Sequence, residues 1–348
     1  MNTRKRNKRS GLRTFLIVLL VLVMVGVLIA YRFYQGIFDP NVEIINKEKN
    51  EVELFIPTGS TYDEVLLILS HQGILKNEQS FRLLAKKMNY PAHVHPGRYI
   101  ILKGMSNYDL IRKLRSGESD PLTVTIDKVA TAEEVAGLVG NVLELDSADI
   151  MNRLYNPDFL KEHGLNKNNV LAFFIPNSYE FYWNVNPDVF IEKMEKEYNT
   201  FWKKERVKRA REMNLSAAEI YILASIVQEE ASVADEMPRI AGVYVNRLKK
   251  GMRLEADPTI KFLVRKRKNP KVELEDYKIQ SPYNTYRNAG LPPGPIILAR
   301  KESLLAVLNY EKHNYLFFVA KHDRSGYHVF SENYEQHKYY RKLYLKSK

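Results

Sequence analysis

The 348-residue chain contains no cysteine, which excludes disulfides, thiol nucleophiles and Cys-ligated zinc. It is poor in metal-ligand groupings as well. His93 and His95 form an isolated H-x-H pair with no carboxylate or third histidine at ligand spacing, so a surface loop accounts for them better than a metal centre. Negative charge is in deficit, with 41 Asp and Glu against 53 Lys and Arg and a net charge of +12. Six of those cations, Arg4, Lys5, Arg6, Lys8, Arg9 and Arg13, crowd the first thirteen residues. Beyond that tail the excess is roughly halved. No basic stretch interleaved with stacking aromatics forms a nucleic-acid motif, so no nucleic-acid partner is expected.

One long apolar run is present, Thr14 to Tyr31, bounded by Arg13 and Arg32. As a helix its eighteen residues cover ~27 Å, close to the ~30 Å hydrocarbon core of a bilayer. It is longer than the apolar region of a cleaved signal peptide. It also leads into Tyr31, Arg32, Phe33 and Tyr34, an interfacial aromatic and basic belt. We expect a single retained plasma-membrane anchor over 14–34, residues 1–13 as a cytoplasmic basic tail, and everything after a linker at 35–50 outside the membrane.

Soluble-domain composition begins at Glu51. Val52–Ile56 alternates like a strand, Thr61-x-x-Glu64 is a capping box, a second helix fits Glu78–Met88, Arg98–Leu102 reads as a strand and Asn107–Leu114 as a short helix. This is a small α+β unit over 51–118. Leu122–Ile126 and Thr131-x-x-Glu134 repeat the strand and the cap at the same offset, and short helices over 143–170 form a connection, giving a second small unit over 119–170. The third region, 171–348, opens on the aromatic-rich Phe173–Trp183, which suits either a sugar platform or a core. A basic amphipathic helix from Val189 to about Met213 follows, and a hairpin over Tyr315–Ala320 and Tyr327–Phe330, turning at Asp323–Gly326, closes the domain. His328, in a strand, reads as structural.

Within that region Ser216 and Glu219 form another capping box, starting a helix at about Ala217. Ile220, Leu223, Ala224, Val227 and Ala231 recur at the spacing of one buried face. At ~100° per residue Glu230 lies at the edge of that stripe, while Glu229 lands nearly opposite it. A carboxylate beside apolar surface holds its proton to higher pH and suits an acid. By phase alone, Glu230 reads first as a flank residue whose tip reaches water.

The run Ala224–Ala231, followed by Val245–Leu248, Gly251–Leu254, Asp257–Thr259, Tyr283–Tyr286 and Gly290–Gly294, resembles the endolytic murein transglycosylase (YceG-like) family in motif order and spacing over more than a hundred residues. The resemblance implies that Glu230 is the catalytic acid/base on peptidoglycan glycan strands. It also implies a LysM-like fold for 51–118, with no cofactor or metal. Two positions depart from the family pattern: Gln228 stands where a glutamate is frequent, and Ile175-Pro176-Asn177-Ser178-Tyr179 where a Phe-Pro-Asp-Thr-Tyr pattern is usual. We therefore expect an α+β protein with one transmembrane helix, a LysM-like domain and a mixed α+β catalytic domain carrying a helix-borne glutamate. Substrate-binding candidates are Asn246, Arg253, Asp257, Tyr283, Asn284, Thr285, Tyr286 and Tyr179. The expected reaction cleaves MurNAc–GlcNAc bonds within nascent strands, leaving 1,6-anhydro ends beside peptidoglycan synthases. Two alternatives stand: a non-catalytic wall-binding scaffold, and a muramidase in which Glu255 or Asp257, beside Arg253, supplies a second carboxylate.

Overall fold

The structure, a computed structural model, describes residues 4–46, 48–323 and 325–347. The chain divides into two compact units, one of residues 1–122 with 182–184, the other of 123–181 with 185–348.

The first unit starts with α1 (Arg4–Phe38), whose segment Gly11–Phe38 is long and apolar enough to cross a membrane, with a mean hydropathy of 3.0 over its most apolar window. There follow β1 (Glu51–Ile56), α2 (Tyr62–His71), α3 (Glu78–Lys87), β2 (Gly97–Leu102) and α4 (Asn107–Ser116). The two strands pair antiparallel, with Leu54 opposite Tyr99 and Val52 opposite Ile101. Period-two alternation sends Leu54, Ile56, Tyr99 and Ile101 into a core with Val65, Leu69, Phe81, Leu110 and Leu114. On the outer face Arg98 donates to Glu53, and Phe55 meets the ring of Trp183 edge-on.

The expected linker at 35–50 is instead largely part of this unit. α1 continues to Phe38, and the Asn107 amide donates to the Gly36 carbonyl at 2.7 Å. Asn41 donates to Asn107 at 2.7 Å and accepts from the Asn77 N–H at 2.8 Å. A buried amide network needs every member satisfied, so it locks the chain leaving α1 onto α3 and α4. Met1–Thr3 of the basic tail lie outside the described residues.

The second unit comprises β3 (Leu122–Ile126), α5 (Ala132–Gly140), α6 (Ser147–Leu154), α7 (Pro157–Glu162), β4 (Asn177–Phe181), α8 (Pro187–Phe201), α9 (Lys204–Glu212), α10 (Ala217–Glu230), α11 (Met237–Lys249), α12 (Asp257–Val264), α13 (Lys301–Leu308), β5 (Phe317–Ala320), β6 (His328–Ser331) and α14 (Tyr334–Lys346). β3 pairs with β4 and β5 with β6. The expected capping boxes form at Thr61/Glu64 and Ser216/Glu219. At Thr131 the pattern shifts, and Glu134 accepts from the Ala130 N–H instead of closing on Thr131.

Two sequence expectations change. The single basic helix is two, α8 and α9, because Trp202 leaves helical geometry with ψ at 53° and buries its indole. α10 has no single buried face: from Ile220 to Gln228 every residue is buried. Helices α9, α11, α12 and α13 all pack on it, so Tyr221, Ile222, Ser225 and Ile226, which the apolar stripe left out, are enclosed as well. The final hairpin forms with Phe318 opposite Phe330. Its turn contains Arg324, which lies outside the described residues. His328 is held by the buried carboxylate of Glu236, which accepts from its N–H and meets Nδ1 at 2.8 Å.

Candidate active site

Glu230 is the last residue of α10, so its carboxyl emerges where the enclosed helix ends. It opens into a cleft of ≈ 680 Å³ whose walls include Tyr244 and Arg247 from α11, Glu255 and Asp257 from the turn into α12, Tyr277 and Tyr286 from the following loops, Phe318 from β5 and His337 and Arg341 from α14. Glu229, one residue earlier, is exposed on a different face. The helical phase read from the sequence separates the two carboxylates in the expected way.

Burial raises the Glu230 pKa to about 7, the nearby Asp257 carboxylate adds to the rise, and the Tyr244 hydroxyl, Lys261 and Arg247 oppose it. A carboxylate at a helix C-terminus also faces the negative end of the helix dipole. Every group that would favour the charged form is outweighed by desolvation plus a like charge, the two conditions that keep a carboxyl protonated near neutrality.

Asp257 is placed by α12, of which it is the first residue. The Tyr277 hydroxyl donates to its Oδ1 at 3.0 Å and the Tyr286 hydroxyl donates to the same oxygen at 2.5 Å. Both phenols are pushed up, that of Tyr277 to about 12, by burial and by Asp257 itself. They therefore remain donors. The guanidinium expected beside this turn is not Arg253, which is exposed. It is Arg247, buried in α11, which donates to the carbonyls of Leu316 at 2.7 Å and Leu254 at 2.8 Å and contacts Glu255 at 3.3 Å. Glu255 sits in left-handed backbone with φ at 50°, a conformation costly for a residue with a Cβ and sustained here by the surrounding bonds.

Of the nine residues singled out from sequence, the cleft brings together Glu230, Asp257 and Tyr286. The others lie behind or beside it. Asn246 donates to the carbonyls of His313 at 2.7 Å and Tyr315 at 3.1 Å, tying α11 to the approach of β5. Asn284 donates to the carbonyls of Tyr277 and Ile279 and accepts from the Tyr286 N–H. Thr285 accepts from the Ala256 N–H at 3.0 Å. Those two residues hold the two loops that carry Tyr277, Tyr286 and Asp257. Tyr283 stacks near Phe262, with ring centroids 4.9 Å apart. Tyr179 is buried with its hydroxyl bonded to the Ile175 carbonyl, and Phe173, Phe174 and Phe181 are core beside it. Gln228 donates to the Leu298 carbonyl and accepts from the Arg300 N–H at 2.7 Å; the amide supplies both donor and acceptor where a carboxylate would supply only acceptors.

Tyr244, Arg247, Tyr277, His337 and Arg341 are cleft residues that sequence reasoning did not select. Tyr244 and Arg247 had a usable signal: spaced i, i+3, they share one face of a helix inside the recognised run. Arg341 and His337 lie about a hundred residues from Glu230, and nothing local marks them.

The chain is similar to known proteins along most of its length. The model of the YceG-like family matches residues 54–342. A Bacillus subtilis protein named endolytic murein transglycosylase is 30% identical over 341 residues, 92% of this chain and 91% of its own. A Streptococcus pneumoniae protein of the same name is 26% identical over 94% of this chain and 64% of its own length. A crystal structure of a protein from Listeria monocytogenes described as yceG-like has a TM-score of 0.56 at 28% identity, covering 83% of this chain and 98% of that one. With the family model spanning most of its length and a relative matched nearly end to end, the chain belongs to the YceG-like family.

Proposed function

We propose that this chain is an endolytic murein transglycosylase, anchored by α1 with its N-terminus in the cytoplasm and its two units outside the plasma membrane. The observation that carries the reading is the pairing in one cleft of a carboxyl poised at a pKa of about 7, Glu230, with a second carboxylate already engaged by two phenol donors. A group poised near the working pH both gives and takes a proton effectively. Protonated Glu230 donates to the bridging oxygen of a MurNAc–GlcNAc bond as the C1–O bond breaks and its electron pair leaves with that oxygen. The resulting carboxylate takes the proton of the muramic C6 hydroxyl as the C6 oxygen bonds to C1. The product end is a 1,6-anhydro ring, and no water is consumed.

An inverting glycosidase needs a second carboxylate free to activate water, and a retaining one needs it free as a nucleophile. Asp257, its Oδ1 held by Tyr277 and Tyr286, is better suited to orient the site and to favour positive charge at C1. The α+β unit at 51–118 is the proposed LysM-like module, holding glycan near the membrane, and synthases making nascent strands are the proposed neighbours. Mass spectrometry of the products from purified strands tests the reaction. Anhydromuramic ends released from within strands are expected; reducing muramic ends, one water heavier, make the enzyme a hydrolase and return Asp257 or Glu255 to a catalytic part.

A further inference from the structure

The cleft is electrically lopsided. Glu230 and Asp257 stand together, whereas Arg247 and Arg341 enter from α11 and α14. Arg247 is compensated, contacting Glu255 at 3.3 Å and donating to three backbone carbonyls. Arg341 is exposed at the cleft wall and has no acidic partner within salt-bridge distance among the described residues. One turn before Arg341 on α14, His337 lies against the Phe317 ring, stacked at 5.3 Å, and its buried Nδ1 has no hydrogen-bond partner among the described residues. Burial and the two guanidinium groups push its pKa down, so at neutral pH it adds no charge. One uncompensated guanidinium therefore remains on the wall contributed by α14, beside a flat neutral surface.

We infer that Arg341 is a specificity-determining residue that binds a carboxylate carried on the muramic side of the strand, with the His337–Phe317 stack as the surface beneath it. This inference rests on the proposed glycan-strand substrate. A guanidinium presents a planar fork that fits a carboxylate with two parallel N–H···O bonds. The sugars themselves are neutral. The anions a strand brings are the carboxylates of its peptide stems or, where a stem has been removed, the lactyl carboxylate of the muramic residue. Holding that group on the Arg341 wall fixes which way the strand lies across Glu230.

The test measures KM and kcat of the full chain in detergent on three substrates: stem-bearing strands, the same strands with their carboxylates converted to amides by carbodiimide and ammonia, and strands stripped of stems to expose lactyl carboxylates. Wild-type protein is expected to show a KM about tenfold lower or better for the carboxylate-bearing strands, the discrimination that one charge-assisted hydrogen bond supports. Arg341→Gln removes that preference by raising KM on the carboxylate-bearing strands to its value on amidated strands, and Arg341→Lys restores part of it. A preference confined to stripped strands assigns the anion to the lactyl group, one confined to stem-bearing strands assigns it to the peptide, and one shown by both assigns the Arg341 wall to either carboxylate. An Arg341→Gln variant with the wild-type ratio of KM values, or one that loses all three substrates equally, overturns the inference. Failure of wild-type protein to cut any strand would instead overturn the proposed reaction.

Discussion

At the scale of the residue, two adjacent glutamates with the same chemistry are separated by position alone. Glu229 is exposed and Glu230 sits in the cleft with its pKa at about 7. Glu230→Gln keeps the shape and removes the titrating proton, so strand cleavage should fall by at least ~100-fold, whereas Glu229→Gln should change it little. The same shift has a stability consequence. An unfolded-state value of 4.5 against about 7 in the native protein means that the folded state binds the extra proton between those pH values. Its contribution to stability is complete below about pH 4.5, declines as pH rises, and is lost above about pH 7. Glu230→Gln should therefore leave stability at pH 4 nearly unchanged and raise it at pH 8, by up to about 3 kcal/mol. Denaturant melts at the two pH values check this, and equal effects at both would show that the carboxyl is not desolvated. Asp257→Asn removes the like charge that helps raise Glu230. The alkaline limb of the rate profile should move to lower pH, together with a loss of rate from the unfastened tyrosines.

At the scale of the element, the site depends on close approach of α11 to the irregular segment leading into β5. A Cβ on Gly242 would lie 2.4 Å from the Glu311 carbonyl oxygen and 2.5 Å from His313 Nε2, so glycine is required there for space. The helix whose contact this permits also presents Tyr244 and Arg247 to the cleft and Asn246 to the His313 carbonyl. Gly242→Ala should push α11 outward, costing about 1–3 kcal/mol by overpacking, and should lower cleavage although residue 242 does not line the cleft. Thermal denaturation alongside kcat measures both; an alanine variant with wild-type stability and rate would show that the contact is not needed. The enclosure of α10 belongs to the same scale. An element covered by four neighbours shows little one-sided periodicity, which is why its sequence displays a stripe narrower than the surface it buries.

At the scale of the whole molecule, α1 feeds into the first unit through the Asn41–Asn107 network instead of a flexible linker, so helix and unit are one mechanical piece. The proposed topology, with both units outside the membrane, rests on the six Lys and Arg ahead of the apolar run of α1 and on the positive-inside rule. A periplasm-active reporter fused after Lys348 should accordingly be active. Activity of a cytoplasm-dependent reporter at that position would contradict the topology and the substrate with it.

The sequence alone determined what depends on neighbours along the chain. The apolar run of α1, the Ser216 and Thr61 caps, the strand alternation of β1 and β2 and the phase separating Glu229 from Glu230 all rest on contacts within about a turn or a pleat. Recognition of the motif run added Asp257 and Tyr286. Tertiary structure alone decided which polar residues face the cleft. Asn246, Asn284 and Thr285 have side chains well suited to a sugar, yet each meets a backbone group, because loops packed this tightly leave buried N–H and C=O groups that require partners. It also decided that Arg341, about a hundred residues from Glu230, shares a cleft with it. That proximity is created by packing α14 against the β5–β6 hairpin, a long-range arrangement that no local pattern encodes.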